Sequence, residues 1–206
     1  GLFSEVATPL TSVFVDHKSL TIPSPDGQSR ILARQEGDVL VLVTEGRIGS
    51  SKLEFADGPN AEVQWSPDSN AFWITENNGG ITGLYQLTVV GRVNGRLVVR
   101  RPSSAISKTF GHPVRCFEPE PPNVAGLGWL EPSHELLALA EVPPHSNCDG
   151  MGTFRAYRID PWRMRVLKTY TQSEAEELFG NLVGPRPLNA ANCDHDPTAC
   201  YIPQLH

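Results

Sequence analysis

Between residues 19 and 171 the chain is built from short runs in which apolar and polar residues alternate, broken every few residues by Pro, Gly, Asp, Ser or Asn. Alternation at period two is the mark of a strand buried on one face. The runs predict three successive groups of four strands. The first group is Ser19–Ile22, Arg30–Gln35, Val39–Thr44 and Lys52–Phe55. The second is Ala61–Trp65, Ala71–Thr75, Gly83–Val90 and Arg96–Arg101. The third is Gly126–Trp129, Glu135–Glu141, Thr153–Ile159 and Arg165–Thr171. In the run from Thr153, the residues Phe154, Ala156 and Arg158 fall on one face, and Arg155, Tyr157 and Ile159 on the other. Asn94-Gly95, between the last two runs of the second group, is a strong hairpin signal.

Each group carries a turn at the same place. The turns are Pro23-Ser24-Pro25-Asp26-Gly27, Trp65-Ser66-Pro67-Asp68-Ser69 and the degraded Trp129-Leu130-Glu131-Pro132-Ser133. Asp26 and Asp68 are 42 residues apart, whereas Trp65 and Trp129 are 64 apart, because a Pro-rich insertion intervenes. Proline presets φ in such a turn, Asp or Ser hydrogen-bonds the local backbone, and Gly tolerates positive φ. About 40 residues and four strands per unit match one propeller blade.

The pattern predicts an all-β protein of three tandem four-stranded antiparallel sheets, propeller-like blades, with one short C-terminal helix. The units span about 19–57, 61–101 and 124–171. They follow an N-terminal extension (1–18), are interrupted by an insertion (102–123), and lead into a helix and tail (173–206). Ser173 is the expected helix cap, with Glu174, Glu176 and Glu177 near the positive end of the dipole and a stop at Gly180.

The S-P-D turns, with an aromatic before the second, resemble the repeat of TolB-type propellers (the PD40, WD40-like family) over roughly residues 19 to 171. Such repeats occur in periplasmic binding scaffolds and in propeller domains of serine peptidases, so the resemblance implies architecture rather than activity. Closed propellers typically have four to eight blades. Three units leave three routes open: two chains share a ring, the fold is an open fragment, or a partner covers the exposed edges.

Composition narrows the functional classes. The formal net charge is −6 over 206 residues, which argues against nucleic acid as a partner. No apolar run is long enough to span a bilayer. Cys116, Cys148, Cys193 and Cys200 all lie in Pro/Asn/Asp-rich stretches and form no C-x-x-C pair. The favoured pairing is Cys116–Cys148 and Cys193–Cys200, which implies an extracellular or periplasmic protein.

Signatures of a nucleophile elbow, a phosphate loop and a dinucleotide fold are all absent from the sequence, and no cofactor is expected. His134-Glu135-Leu136-Leu137-Ala138 has Ala where a zincin needs its second His, and it reads as a strand. Asp194, His195 and Asp196 are weak metal candidates beside a solvated-turn reading. Arg92, Arg96, Arg100 and Arg101 form a basic patch on the second unit's outer hairpin. With Trp73, Phe110, His112 and Phe117, Arg92 and Arg96 make up the candidate binding surface. Trp73 and Phe72 alternate, so one of the two is expected to face solvent; Trp65 and Trp129 read as core. The function expected is a binding or assembly module that contacts another protein or itself through sheet edges and stapled loops. The alternative is a hydrolase with carboxylates or a metal at the centre of the sheets.

Overall fold

The computed structural model describes residues 11–14, 19–56, 59–78, 84–110, 121–143 and 150–183. Three antiparallel sheets follow one another along the chain. The first is β2 (Leu20–Pro23), β3 (Ser29–Glu36), β4 (Val39–Gly46) and β5 (Ser51–Phe55). The second is β6 (Pro59–Trp65), β7 (Ala71–Asn78), β8 (Tyr85–Val93) and β9 (Arg96–Arg100). The third is β10 (Asn123–Glu131), β11 (Glu135–Glu141), β12 (Phe154–Asp160) and β13 (Arg165–Tyr170). Each is an up-and-down meander of neighbours in sequence, the topology of a propeller blade. The twelve strands expected from the alternation all form, with ends shifted by a residue or a few.

Two elements were not expected. Strand β1 (Thr11–Phe14) pairs antiparallel with β6, Thr11 facing Gln64 and Phe14 facing Ala61, so the middle sheet gains a fifth strand. Helix α1 (Ser103–Phe110) lies inside the insertion, and Ser103 Oγ accepts the Leu87 backbone N–H at 3.0 Å. The expected C-terminal helix is α2 (Gln172–Val183), broken locally at Phe179 (φ −132°, ψ 25°). Its cap is Thr171, not Ser173. Thr171 Oγ1 accepts from the Glu174 N–H, and Glu174 Oε2 accepts from the Thr171 N–H at 2.8 Å, a reciprocal capping box.

The sheets stack in layers. Ile31, Leu40, Leu42 and Phe55 of the first sheet pack on Ala61, Trp65, Phe72 and Ile74 of the second. The other face of the second sheet, with Trp73, Leu87 and Val89, packs on Val124, Leu136, Tyr157 and Ile159 of the third and on Ile106 of α1. The far face of the third sheet, with Leu137, Leu139, Phe154 and Ala156, is covered by Ala175 and Val183 of α2. Phe154 and Ala156 thus look into one layer and Tyr157 and Ile159 into the next, as their alternation predicts. Close approach between sheets has a sequence cause. A Cβ on Gly126 of β10 would sit 2.6 Å from the Trp73 indole, so only glycine lets that ring lie flat on the third sheet.

The outward face of the first sheet carries ion pairs around the buried Val41 and the half-buried Leu32 and Val43. Arg30 pairs with Glu45 at 2.7 Å, Arg34 with Glu36 at 2.7 Å, and Lys52 with Glu54 at 2.5 Å. One end of the stack therefore presents ion pairs to solvent, and the other is closed by a helix.

Candidate functional site

The repeated turns lie along one end of the sheets and are bonded to one another. In each of the first two, the serine hydroxyl donates to the aspartate two residues on, Ser24 to Asp26 at 2.7 Å and Ser66 to Asp68 at 2.6 Å. The same serine oxygen accepts the N–H of the residue five positions on, Ser29 or Ala71, at 3.0 Å. The turns then link across sheets. The Asp26 N–H donates to Ser69 Oγ at 3.1 Å, and Ser133 Oγ donates to Asp68 Oδ2 at 2.6 Å. Ser133 (φ 51°) stands where the first two repeats carry Gly27 (φ 70°) and Ser69 (φ 60°), and like Ser69 it uses its hydroxyl to reach the preceding repeat. The aromatic before the turn does the same work: Trp65 Nε1 donates to the Ile22 carbonyl at 3.3 Å, and Trp129 Nε1 to that of Gln64 at 3.5 Å.

These partners set the carboxyl chemistry. The Ser24 hydroxyl, then the Gln28 N–H and Arg47, hold Asp26 below its usual range. Burial pushes Asp68 up, but bonds from Ser133, Ser66 and Asn70 outweigh it, and its carboxyl also titrates low. Both aspartates are ionised acceptors: the Asp26 carboxylate is held within the first unit by Ser24, Gln28 and Arg47, and the Asp68 carboxylate reaches across to Ser133 of the third.

The basic hairpin is partly consumed in the same way. Asn94 (φ 50°) and Gly95 (φ 79°) make the expected tight turn. Arg92 donates to the Arg47 carbonyl of the first sheet at 3.0 Å, and Arg100 to the Trp162 carbonyl of the third at 3.3 Å. Trp162 in turn donates to the Ser133 carbonyl at 2.6 Å. Arg92 and the half-buried Arg100 clamp the middle sheet between its neighbours; Arg92, Arg96 and Arg101 are all exposed.

Two described groups titrate far from their usual range. Burial raises the Glu76 carboxyl to about 7, against the opposing charge of Arg101. Burial likewise raises the Tyr157 hydroxyl to about 12, against Arg155, and that hydroxyl has no hydrogen-bond partner among the described residues. They do not converge. Glu76 shares its strand face with Phe72 and Ile74, which look toward the first sheet, whereas Tyr157 looks into the layer between the second and third.

Contrary to the expectation from alternation, neither Trp73 nor Phe72 faces solvent; both are fully buried, and Trp73 Nε1 donates to Gln64 Oε1 at 3.1 Å. A middle sheet covered on both faces has no solvent side to which alternation could assign one of them. Phe110 is half-buried against the layer between the second and third sheets. Glu135 pairs with Arg158 and Ala138 is buried within β11, so Glu135–Ala138 is strand and His134 stands in the turn before it. Among the described residues no group of three or more His, Cys, Asp or Glu side chains could hold a metal ion, and no described helix is long and apolar enough to cross a membrane. His112, Phe117, Asp194, His195, Asp196 and all four cysteines lie outside the described residues.

The fold defines an all-β protein of propeller-like sheets stacked in tandem. No protein-family model matches the chain, and no curated protein matches it. Among solved structures it is similar to the acylaminoacyl peptidase of Pyrococcus horikoshii (orthorhombic crystal form), at 14% identity and a TM-score of 0.35. The match covers 70% of this chain and 23% of that one.

Proposed function

We propose that the chain is a non-catalytic binding or assembly module of propeller type, which contacts another protein or itself through sheet edges and loops. One observation carries this reading. Both end faces of the stack are occupied by the chain's own groups, ion pairs on the first sheet and α2 on the third. The contact surface left to the described part is therefore its strand edges. The repeated aspartates, the natural place to look for acid–base chemistry, support the same reading because their oxygens are occupied by structural donors, Ser24, Gln28 and Arg47 at Asp26 and Ser66, Asn70 and Ser133 at Asp68. The TolB-type resemblance of the S-P-D turns belongs to this proposal, as do secretion to an extracellular or periplasmic space and the pairs Cys116–Cys148 and Cys193–Cys200. Peptide mass spectrometry under non-reducing conditions tests the pairs, and free thiols there would remove them.

Glu76 favours the second reading, a hydrolase, since a carboxyl titrating near 7 suits proton transfer at neutral pH. A panel of peptide, ester and phosphoester substrates separates the two. The module reading expects no turnover by the wild-type chain. Turnover that disappears in Glu76→Gln would replace it with the enzyme.

A further inference from the structure

The outer strand edges of the three sheets differ in one respect that decides what each can pair with. Among the described strands, β5, β9 and β13 each end their sheet with a single strand neighbour, as β1, β2 and β10 do at the other side. Such edges recruit other strands unless their side chains prevent it. Strand β9 carries Arg96 and Arg100, and β13 carries Arg165 and Lys168. Neither has an anion, so each repels a copy of itself.

Strand β5 is different. Its sequence is Ser51-Lys52-Leu53-Glu54-Phe55. Period two puts Lys52 and Glu54 on the outward face, with side chains 50% and 57% exposed, while Leu53 and Phe55 are buried toward the second sheet. We propose that β5 is a self-complementary edge and that its partner is β5 of a second copy, antiparallel about a two-fold axis at Leu53. In that register Leu53 faces its own counterpart. Lys52 faces Glu54 of the second copy, and Glu54 faces its Lys52. The two intrastrand pairs, one in each copy, are exchanged for two cross-strand pairs, and the sheet continues across the axis as eight strands. Main-chain hydrogen bonds supply the attraction and the charges fix the register. Such a two-fold contact closes on itself rather than propagating.

The inference rests on the assembly reading above and names the edge that performs it. Sedimentation equilibrium over a concentration series tests it on the wild-type chain, Lys52→Glu, Glu54→Lys and the double reversal. Both substituted side chains are at the surface, 50% and 57% exposed, so folding is preserved. The wild type is expected to dimerise reversibly and more weakly at high salt. Each single reversal turns both cross-strand pairs repulsive and should weaken association by roughly tenfold. The double reversal restores both pairs and should restore the wild-type constant. Association that ignores the reversals would overturn the β5 assignment while leaving self-assembly standing. A monomer at every concentration would overturn the inference together with self-assembly, and would confine the wider reading to a foreign partner.

Discussion

Asp68 shows how much of this molecule rests on single polar side chains. Its carboxylate accepts from Ser66, Ser133 and both the backbone and the side chain of Asn70. Asp68→Ala leaves those donors unmet and frees the third sheet's turn from the second, so it should destabilise the fold by about 1–3 kcal/mol, measurable by urea unfolding. Glu76 acts in the opposite sense. Its folded carboxyl holds a proton up to about pH 7, whereas the unfolded chain releases it near the usual 4.5. Stability should therefore be highest at the acid end of that window and fall as pH rises through it, because the buried side chain must lose its proton. Glu76→Gln should flatten this fall between pH 5 and 8 in thermal melts; an unchanged profile would mean that the carboxyl is solvated.

At the scale of elements, regular alternation was readable and context was not. The twelve strands of the three sheets follow from period two and from turn residues at fixed offsets. Strand β1 has only four residues, too few to stand out, and it exists because β6 offers an open edge. Helix α1 begins Ser103-Ser104 after Pro102, a composition read as loop, and it is held by Ile106 in the apolar layer. The same limit explains Trp73: alternation tells which residues share a face, and only the stacking of a neighbour tells whether that face is wet. For α2, Thr171-x-x-Glu174 and Ser173-x-x-Glu176 both have capping-box spacing, so spacing did not choose between them; the folded chain forms the Thr171–Glu174 box. Thr171→Ala should cost about 1 kcal/mol, whereas Ser173→Ala, with no capping bond to lose, should cost far less by the same unfolding measurement.

For the whole molecule, the three tandem sheets form a stack closed at both faces by different means. Solvated ion pairs end it at the first sheet, and α2 ends it at the third. The two sides of α2 should respond differently to charge. Leu178 is 58% exposed, so Leu178→Lys should leave the melting temperature nearly unchanged. Val183 is fully buried against the third sheet, and Val183→Asp should lower stability by about 2–5 kcal/mol. Of the site-level expectations, the basic hairpin was legible as charge, but its division was not: Arg92, itself exposed, and the half-buried Arg100 hold neighbouring sheets, while Arg96 and Arg101 stay at the surface. That division depends on which carbonyls the folded neighbours bring within reach.

Amide hydrogen exchange on the chain at low and high concentration tests the central claim, that contacts are made at strand edges and not by joining sheet faces into a ring. The account predicts added protection in an edge strand, with the amides of α2 unchanged. Loss of protection across Gln172–Val183 as the protein associates would contradict it, because α2 would then be leaving the third sheet to let another sheet take its place.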